Sequence, residues 1–345
     1  MEIIAGDIGA TKSALAWAAG TDHASYEVLC ERVYASADFA NALALLQQFI
    51  RDAQSQSSTS VVPACLTLAL PGPVYTQRAR LTNLDWTLDA ADLQAQLNIA
   101  TVQFINDFQA AASGVTTLTA SDTVLLNAAP SCTHGVRAIT GAGTGLGLAW
   151  MVADAQGRYR TFATEGGHTD FAPANAQQGR LLAFVRENLI RQNLSGHVSW
   201  ERLVSGLGLD MIYRFCVHDV GGVTPEGITD GARLDALAAS GDTIAQAAMD
   251  LFIDLYGAWV GNVALLYRPE GGLYIAGGVS IHLRERMTSP RFIAACTDKG
   301  RMCGVVERTP ISLITNRRLG VQGAIAHALD SAGILNNGNS NRSGQ

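Results

Sequence analysis

Two stretches of this chain repeat one design. Ala5-Gly6-Asp7-Ile8-Gly9-Ala10-Thr11 leads into Leu15-Ala16-Trp17, and Thr140-Gly141-Ala142-Gly143-Thr144-Gly145 leads into Leu148-Ala149-Trp150. Each reads as an apolar strand, a Gly/Thr turn and a second apolar strand, which is the pattern of a β-hairpin whose tip exposes backbone N–H groups. A chain that does this twice is expected to hold two halves built on one plan. Chance similarity between two short glycine-rich stretches is the competing reading.

The length agrees with two halves, since 345 residues exceed what one hydrophobic core usually supports. Apolar residues make up 48% and charged residues 16%, enough apolar material for a packed core. The net charge of −6 and the lack of any Lys/Arg run give no electrostatic reason to bind nucleic acid or an anionic membrane. Six cysteines, at 30, 65, 132, 216, 296 and 303, form no Cys-x-x-Cys pair and read as free thiols. No basic and apolar leader precedes Ile3 and no run of about 18 apolar residues occurs, so a cytoplasmic protein without a membrane anchor is expected.

Along the first half, strand-like and helix-like segments alternate, the signature of an α/β fold. Strands are expected at Ile3 to Gly6, Ser13 to Trp17, Val61 to Leu70 and Val102 to Ile105, with a helix carrying Phe39, Leu43, Leu46, Phe49 and Ile50. The second half is more helical. Residues 242–268 form its strongest helix, with Ile244, Ala247, Ala248, Leu251, Phe252, Leu255, Ala258 and Trp259 on one face and Gly257 and Gly261 open to a close neighbour. A short strand, Leu273 to Ala276, ends at Gly277-Gly278, and residues 331–345, rich in Asn, Ser and Gly, read as a disordered tail.

Several motifs invite chemistry. Gly6 to Ser13 nearly spells a P-loop, but Thr11 stands where the pattern needs glycine, and Ser13 onward reads as a strand where a P-loop feeds a helix. What survives is a turn able to meet phosphate through Gly6, Gly9, Thr11 and Lys12, with Asp7 able to hold Mg²⁺ through water. An ordinary hairpin tip is the alternative. Gly141 to Gly147 fails as a dinucleotide fingerprint, because Leu146 occupies the third glycine's place and a strand follows; a phosphate-cradling hairpin through Gly141, Gly143, Thr144 and Gly145 fits better. Asn106-Asp107 ends a strand, where α/β folds place functional residues, although Asp107 could equally cap the helix that Phe108 begins. Thr164 to Asp170 gathers Glu165, His168 and Asp170 around a glycine turn that could bind several hydroxyls or could simply be solvated. Gly277-Gly278 could admit an adenine ring close to the backbone, or be a plain turn.

In order along nearly the whole chain, these stretches resemble the bacterial glucokinase family, ATP-dependent hexokinases of the actin-like ATPase superfamily. The resemblance rests on Gly6-Asp7-Ile8-Gly9, Leu81-Thr82-Asn83-Leu84, Ile105-Asn106-Asp107-Phe108, Gly141 to Gly147, Glu165 to Pro173, Glu201-Arg202 before Ser205-Gly206, and Tyr274 to Gly278. It implies a duplicated ribonuclease-H-like fold in two lobes with the active site in the cleft. The small lobe would span 1–110, rejoined by about 315–330, and the large lobe 111–314. Asn106, Asp107, Glu165, His168 and Glu201 match sugar-binding positions, with Asp107 at the catalytic one. Thr11, Thr144 and Gly145 match phosphate-loop positions, and Gly277-Gly278 the adenosine motif. Glucose, ATP and ADP, Mg²⁺ and a homodimer follow as implied partners, as does glucose 6-phosphate as product; a kinase for another hexose and a non-catalytic sugar sensor are the alternatives. Ala10 and Lys12 depart from the family's usual Gly and Asn, and Leu207 replaces a frequent Pro. The Cys-rich zinc motif of a related repressor and kinase group does not follow His168, and no helix-turn-helix segment precedes Ile3.

Overall fold

A computed structural model describes residues 1–56, 62–81, 83–223 and 231–340, with side chains described to residue 331. Val61 and Thr82, which the sequence reading used, lie outside these residues. The chain divides into two compact units. One holds Met1–Ala120, Arg158–Ala163 and Asn316–Gln345; the other holds Ser121–Gly157 and Thr164–Thr315. The first crossing therefore comes at Ala120 and not near 110, since 110 falls inside the helix Asp107–Val115.

In the first unit lie β1 (Glu2–Ile8), β2 (Lys12–Asp22), β3 (Ser25–Ala35), β4 (Cys65–Leu70), a small pair β5 (Arg78–Leu81) and β6 (Trp86–Asp89), and β7 (Thr101–Asn106). Its main sheet runs β3-β2-β1-β4-β7. β1 and β2 pair antiparallel from Glu2↔Ala19 to Ile8↔Ser13, whereas β4 and β7 join parallel. Both hairpin strands run longer than the sequence suggested, so Asp7 and Lys12 are strand residues at the two sides of the tip.

Helices cover both faces of the sheet's centre, which is why β1 and β4 read as nearly continuous apolar runs while the edge strand β3 alternates. Ile4, Ile8, Leu15 and Leu68 cluster with Leu45, Leu46 and Phe49 of the helix Ala42–Gln56. Ile3, Ala5, Ala16 and Ala69 cluster with Val321, Ile325 and Leu329 of the C-terminal helix Leu319–Ser340. Full burial of a side chain such as Phe49 contributes about 2–3 kcal/mol. The C-terminal helix also crosses the helix Asp107–Val115 at two glycines: a Cβ on Gly323 would strike Ala110 O, and one on Gly114 would lie 2.7 Å from Leu319 O. This helix runs to Ser340, whereas the sequence reading began a tail at 331. No proline interrupts 331–340, so a helix already nucleated by buried residues propagates through polar ones.

The second unit holds β8 (Thr123–Asn127), β9 (Arg137–Ala142), β10 (Leu146–Ala153), β12 (Gly272–Ala276) and β13 (Ile311–Ile314); between β10 and β12 in sequence comes β11 (Tyr159–Thr164). Side by side they run β10-β9-β12-β13-β8. Again an antiparallel hairpin, β9 with β10, is followed by two parallel neighbours, β12 and β13. The two units thus share a strand plan around the repeated sequence.

The helix Thr243–Tyr267 is the axis of this second core. Asp242 caps its start by accepting from Ile244 and Ala245 N–H, and Arg268, at φ 43°, ends it before Pro269. Phe252, Tyr256 and Trp259 are fully buried or nearly so. Long and apolar enough to span a membrane, it is instead mostly buried inside the unit. Burial extends around more of its circumference than the single face expected, with Tyr256 inside and Ala247 outside. Gly257 and Gly261 admit the backbone of the helix Pro290–Thr297, at Phe292 O and Cys296 O.

Candidate functional site

In the first unit, the parallel pairing of β7 with β4 carries Asn106 to the end of the sheet beside Leu70. The structure makes Asn106, and not Asp107, the helix cap. Its Oδ1 accepts from Phe108 N (2.9 Å) and Gln109 N (3.1 Å), while its Nδ2 donates to Gly72 O (3.1 Å). Asp107 becomes the first helical residue, half-buried, with Oδ1 accepting from Phe108 N at 2.8 Å. A helix N-terminus favours negative charge, which suits a carboxylate held there. Gly72 also borders a cavity of about 180 Å³ lined by Ala10, Pro71, Arg80, Leu81, Asn83 and Leu84. Of these, Arg80 had no signal in the sequence.

The hairpin tip between β1 and β2 is closed by Gly9 N–H donating to Lys12 O at 3.0 Å, with Thr11 and Lys12 exposed. Ser36 braces it by donating to Gly9 O at 2.7 Å. Asp7 sits against the first turn of the C-terminal helix, so close to Gly320 that a Cβ there would overlap Asp7 Oδ2. Burial pushes the Asp7 carboxyl up from 3.8 to about 6. Among the described residues no group of three or more His, Cys, Asp or Glu could hold a metal ion. A cation at Asp7 would rest on one protein carboxylate, and Mg²⁺, which keeps waters and takes phosphate oxygens, suits that donor set.

In the second unit, the β9–β10 tip is drawn tight by Gly143 N–H donating to Gly145 O (2.8 Å), and Gly206 N–H holds Gly143 O at 2.9 Å. Thr144 is exposed at this tip. Glu201 reaches it from another segment: its Oε2 accepts from Leu146 N at 3.0 Å and would lie 2.5 Å from a Cβ on Gly145. Gly166 and Gly167 are glycines because side chains there would strike Leu148 and Leu146 of β10. That close seating brings His168 within 3.8 Å of Glu201 and 3.9 Å of Glu165. Two carboxylates and an imidazole, partly exposed, thus converge beside a backbone-rich turn and can accept from and donate to several hydroxyls.

Asp170, expected in this cluster, is not part of it and pairs instead with His197 Nε2 at 2.7 Å. Gly277, at φ 101° and ψ 153°, adopts a conformation essentially restricted to glycine, with its Cα packed against Ala142 O. The Gly277-Gly278 turn and the second hairpin therefore touch. Sequence reasoning missed Gly320 as a site neighbour; a glycine in the first turn of an apolar helix was the available signal for it.

A model of the glucokinase family matches residues 4–331. The glucokinase of Synechocystis sp. is 36% identical over 96% of this chain and 99% of that protein. Among crystal structures, a glucokinase from an Antarctic psychrotroph superposes with a TM-score of 0.81 at 26% identity, covering 95% of this chain and 99% of that one. A Balamuthia mandrillaris glucokinase in complex with glucose shares the fold, with a TM-score of 0.77 at 21% identity over 95% and 93%.

Proposed function

The chain belongs to the glucokinase family, and from that premise we propose that it transfers the γ-phosphoryl group of ATP to the 6-hydroxyl of glucose, giving glucose 6-phosphate and ADP. The observation that carries this reading is Glu201, whose one carboxylate accepts from Leu146 N at the β9–β10 tip and also lies 3.8 Å from His168 of the polar cluster. On this reading the sugar-binding groups and the phosphate-holding turn adjoin each other at a single side chain.

Phosphoryl transfer needs alignment and charge neutralisation more than covalent help. Asp107 accepts the proton of the attacking hydroxyl, while Asn106, Glu165, His168 and Glu201 orient the others. Asn106 does so with the hydrogen-bonding capacity left after capping. The backbone N–H groups of the two hairpin tips, with Thr11, Lys12, Thr144 and Gly145, hold the phosphates, and Gly277-Gly278 receives the adenosine. Mg²⁺ entering with the nucleotide would be held by Asp7 and supplies charge neutralisation at the phosphate oxygens. The same reading makes the protein a cytoplasmic enzyme of glycolysis acting as a homodimer. Coupled measurement of hexose 6-phosphate formation across a panel of hexoses, with ATP, ADP and polyphosphate as donors, tests it. Turnover with glucose and ATP is expected to dominate; ADP release independent of any sugar overturns it.

A further inference from the structure

A line of hydrogen bonds runs through the interior of the second unit and ends at both of its nucleotide motifs. Ala142 N–H, at the last residue of β9, donates to the Tyr256 hydroxyl at 3.0 Å. Tyr256 and Ser280 oxygens lie 2.7 Å apart, and Ser280 Oγ reaches Ala276 O at 2.9 Å. The proton order follows from chemistry. Ala276 O only accepts, so Ser280 spends its one hydrogen there; Tyr256 must then donate to Ser280 and accept from Ala142. Ala142, Tyr256 and Ser280 have no solvent exposure, and burial pushes the Tyr256 hydroxyl up to about 12, so it stays neutral.

The endpoints are what give this line meaning. Ala142 immediately precedes the Gly143-Thr144-Gly145 turn, and Ser280 lies in the first turn of the helix Gly278–His282 that Gly277-Gly278 opens. β9 and β12 stop pairing at Gly141↔Ala276, where Gly277 turns the chain away, so strand hydrogen bonds no longer hold the two tips together beyond that point. Tyr256 spans the gap from the central helix. One turn along the same helix, Trp259 Nε1 donates to Thr140 Oγ1 at 2.8 Å, an equally buried bond made within the paired part of β9.

We infer that Tyr256 is a positioning residue for the nucleotide, setting the distance between the phosphate turn at Gly143–Gly145 and the adenosine turn at Gly277–Gly278. The inference rests on the kinase reading above. Without the hydroxyl, Ala142 N–H and Ser280 Oγ lose their common partner and the two turns are held only by the packing of Gly277 against Ala142 O, which weakens nucleotide binding and leaves the sugar cluster at Glu165, His168 and Glu201 in place.

The test compares Tyr256→Phe and Ser280→Ala with Thr140→Val, which breaks both the bond from Trp259 and the bond from Thr140 Oγ1 to Gly147 O, within the paired part of the β9–β10 hairpin. Steady-state kinetics with glucose and ATP are read together with melting temperature and with calorimetric binding of the non-hydrolysable analogue AMPPNP. Both chain variants should raise the ATP KM and the AMPPNP Kd about three- to tenfold, the range expected for one hydrogen bond, with glucose KM within about twofold of wild type. Thr140→Val should lower the melting temperature comparably and leave the ATP KM alone. Unchanged AMPPNP affinity in both chain variants, an equal loss in Thr140→Val, or a parallel rise in glucose KM overturns the positioning role. A wild-type protein that binds AMPPNP without turning over glucose refutes the kinase reading instead, and the calorimetry still decides the role of Tyr256. Should Tyr256→Phe fail to fold, Ser280→Ala carries the test alone.

Discussion

Asp7→Asn should make this protein more stable at alkaline pH. The Asp7 carboxyl titrates near 3.8 in an unfolded chain and at about 6 in the folded one, because packing against Gly320 and the surrounding strands removes it from water. Between those values the folded state holds a proton that the unfolded state has released, so this group's contribution to stability falls as pH rises from about 4 to about 6. A shift of about two units corresponds to a penalty of about 3 kcal/mol, an upper bound reached above pH 7, and about 1 kcal/mol at pH 4.5. Asparagine is nearly isosteric and carries no charge. The variant should therefore melt about 5 °C higher than wild type at pH 8, with a gain of only about 1–2 °C at pH 4.5. Differential scanning calorimetry of both proteins at the two pH values reads this directly, and ATP turnover in the same variant should drop sharply because the carboxylate that would hold Mg²⁺ is gone. A gain that is absent at pH 8, or larger at pH 4.5, would mean that Asp7 is stabilised as an anion by the adjacent helix N-terminus and refutes the desolvation argument.

Two further substitutions follow from the second unit. His168→Ala removes an imidazole held between Glu165 and Glu201 and should raise the glucose KM about 10- to 100-fold with a smaller change in kcat; an unchanged KM places His168 outside the sugar site. Gly277→Ala forces a side chain into a glycine-only conformation against Ala142 O and should cost about 2–3 kcal/mol, visible as a lower melting temperature together with weaker ATP binding. A wild-type melting curve would contradict the backbone assignment there.

The hairpins were legible because glycine and threonine punctuate apolar runs that pair only one way, and the repeat itself announced two similar sheets. The long helix was legible from its apolar spacing. Its buried hydroxyl was not, since Tyr256 in a sequence looks like one more apolar position and its partners, Ala142 and Ser280, lie far along the chain. Asn106 and Asp107 could not be told apart as cap and first helical residue, because either side chain can satisfy an N-terminal N–H and only the backbone angles decide; Asn106 is extended, at φ −67° and ψ 146°. Asp170 misled for a related reason. Two residues beyond His168 the chain has turned to bridge with Ser199, which hands Asp170 to His197. Gly114 and Gly323 are demanded by a helix contact between distant segments, and local pattern carries no trace of a partner so far away.

The central claim is that Asp107 activates the 6-hydroxyl of glucose for attack on ATP. Its most direct test is phosphorus NMR of wild type and Asp107→Ala incubated with glucose and MgATP, alongside calorimetric glucose binding. The account predicts glucose 6-phosphate and ADP from wild type. The variant should slow product formation by at least about 100-fold, the lower range for losing a general base, and should bind glucose with a Kd within about tenfold of wild type. Product formed by Asp107→Ala at the wild-type rate would contradict it.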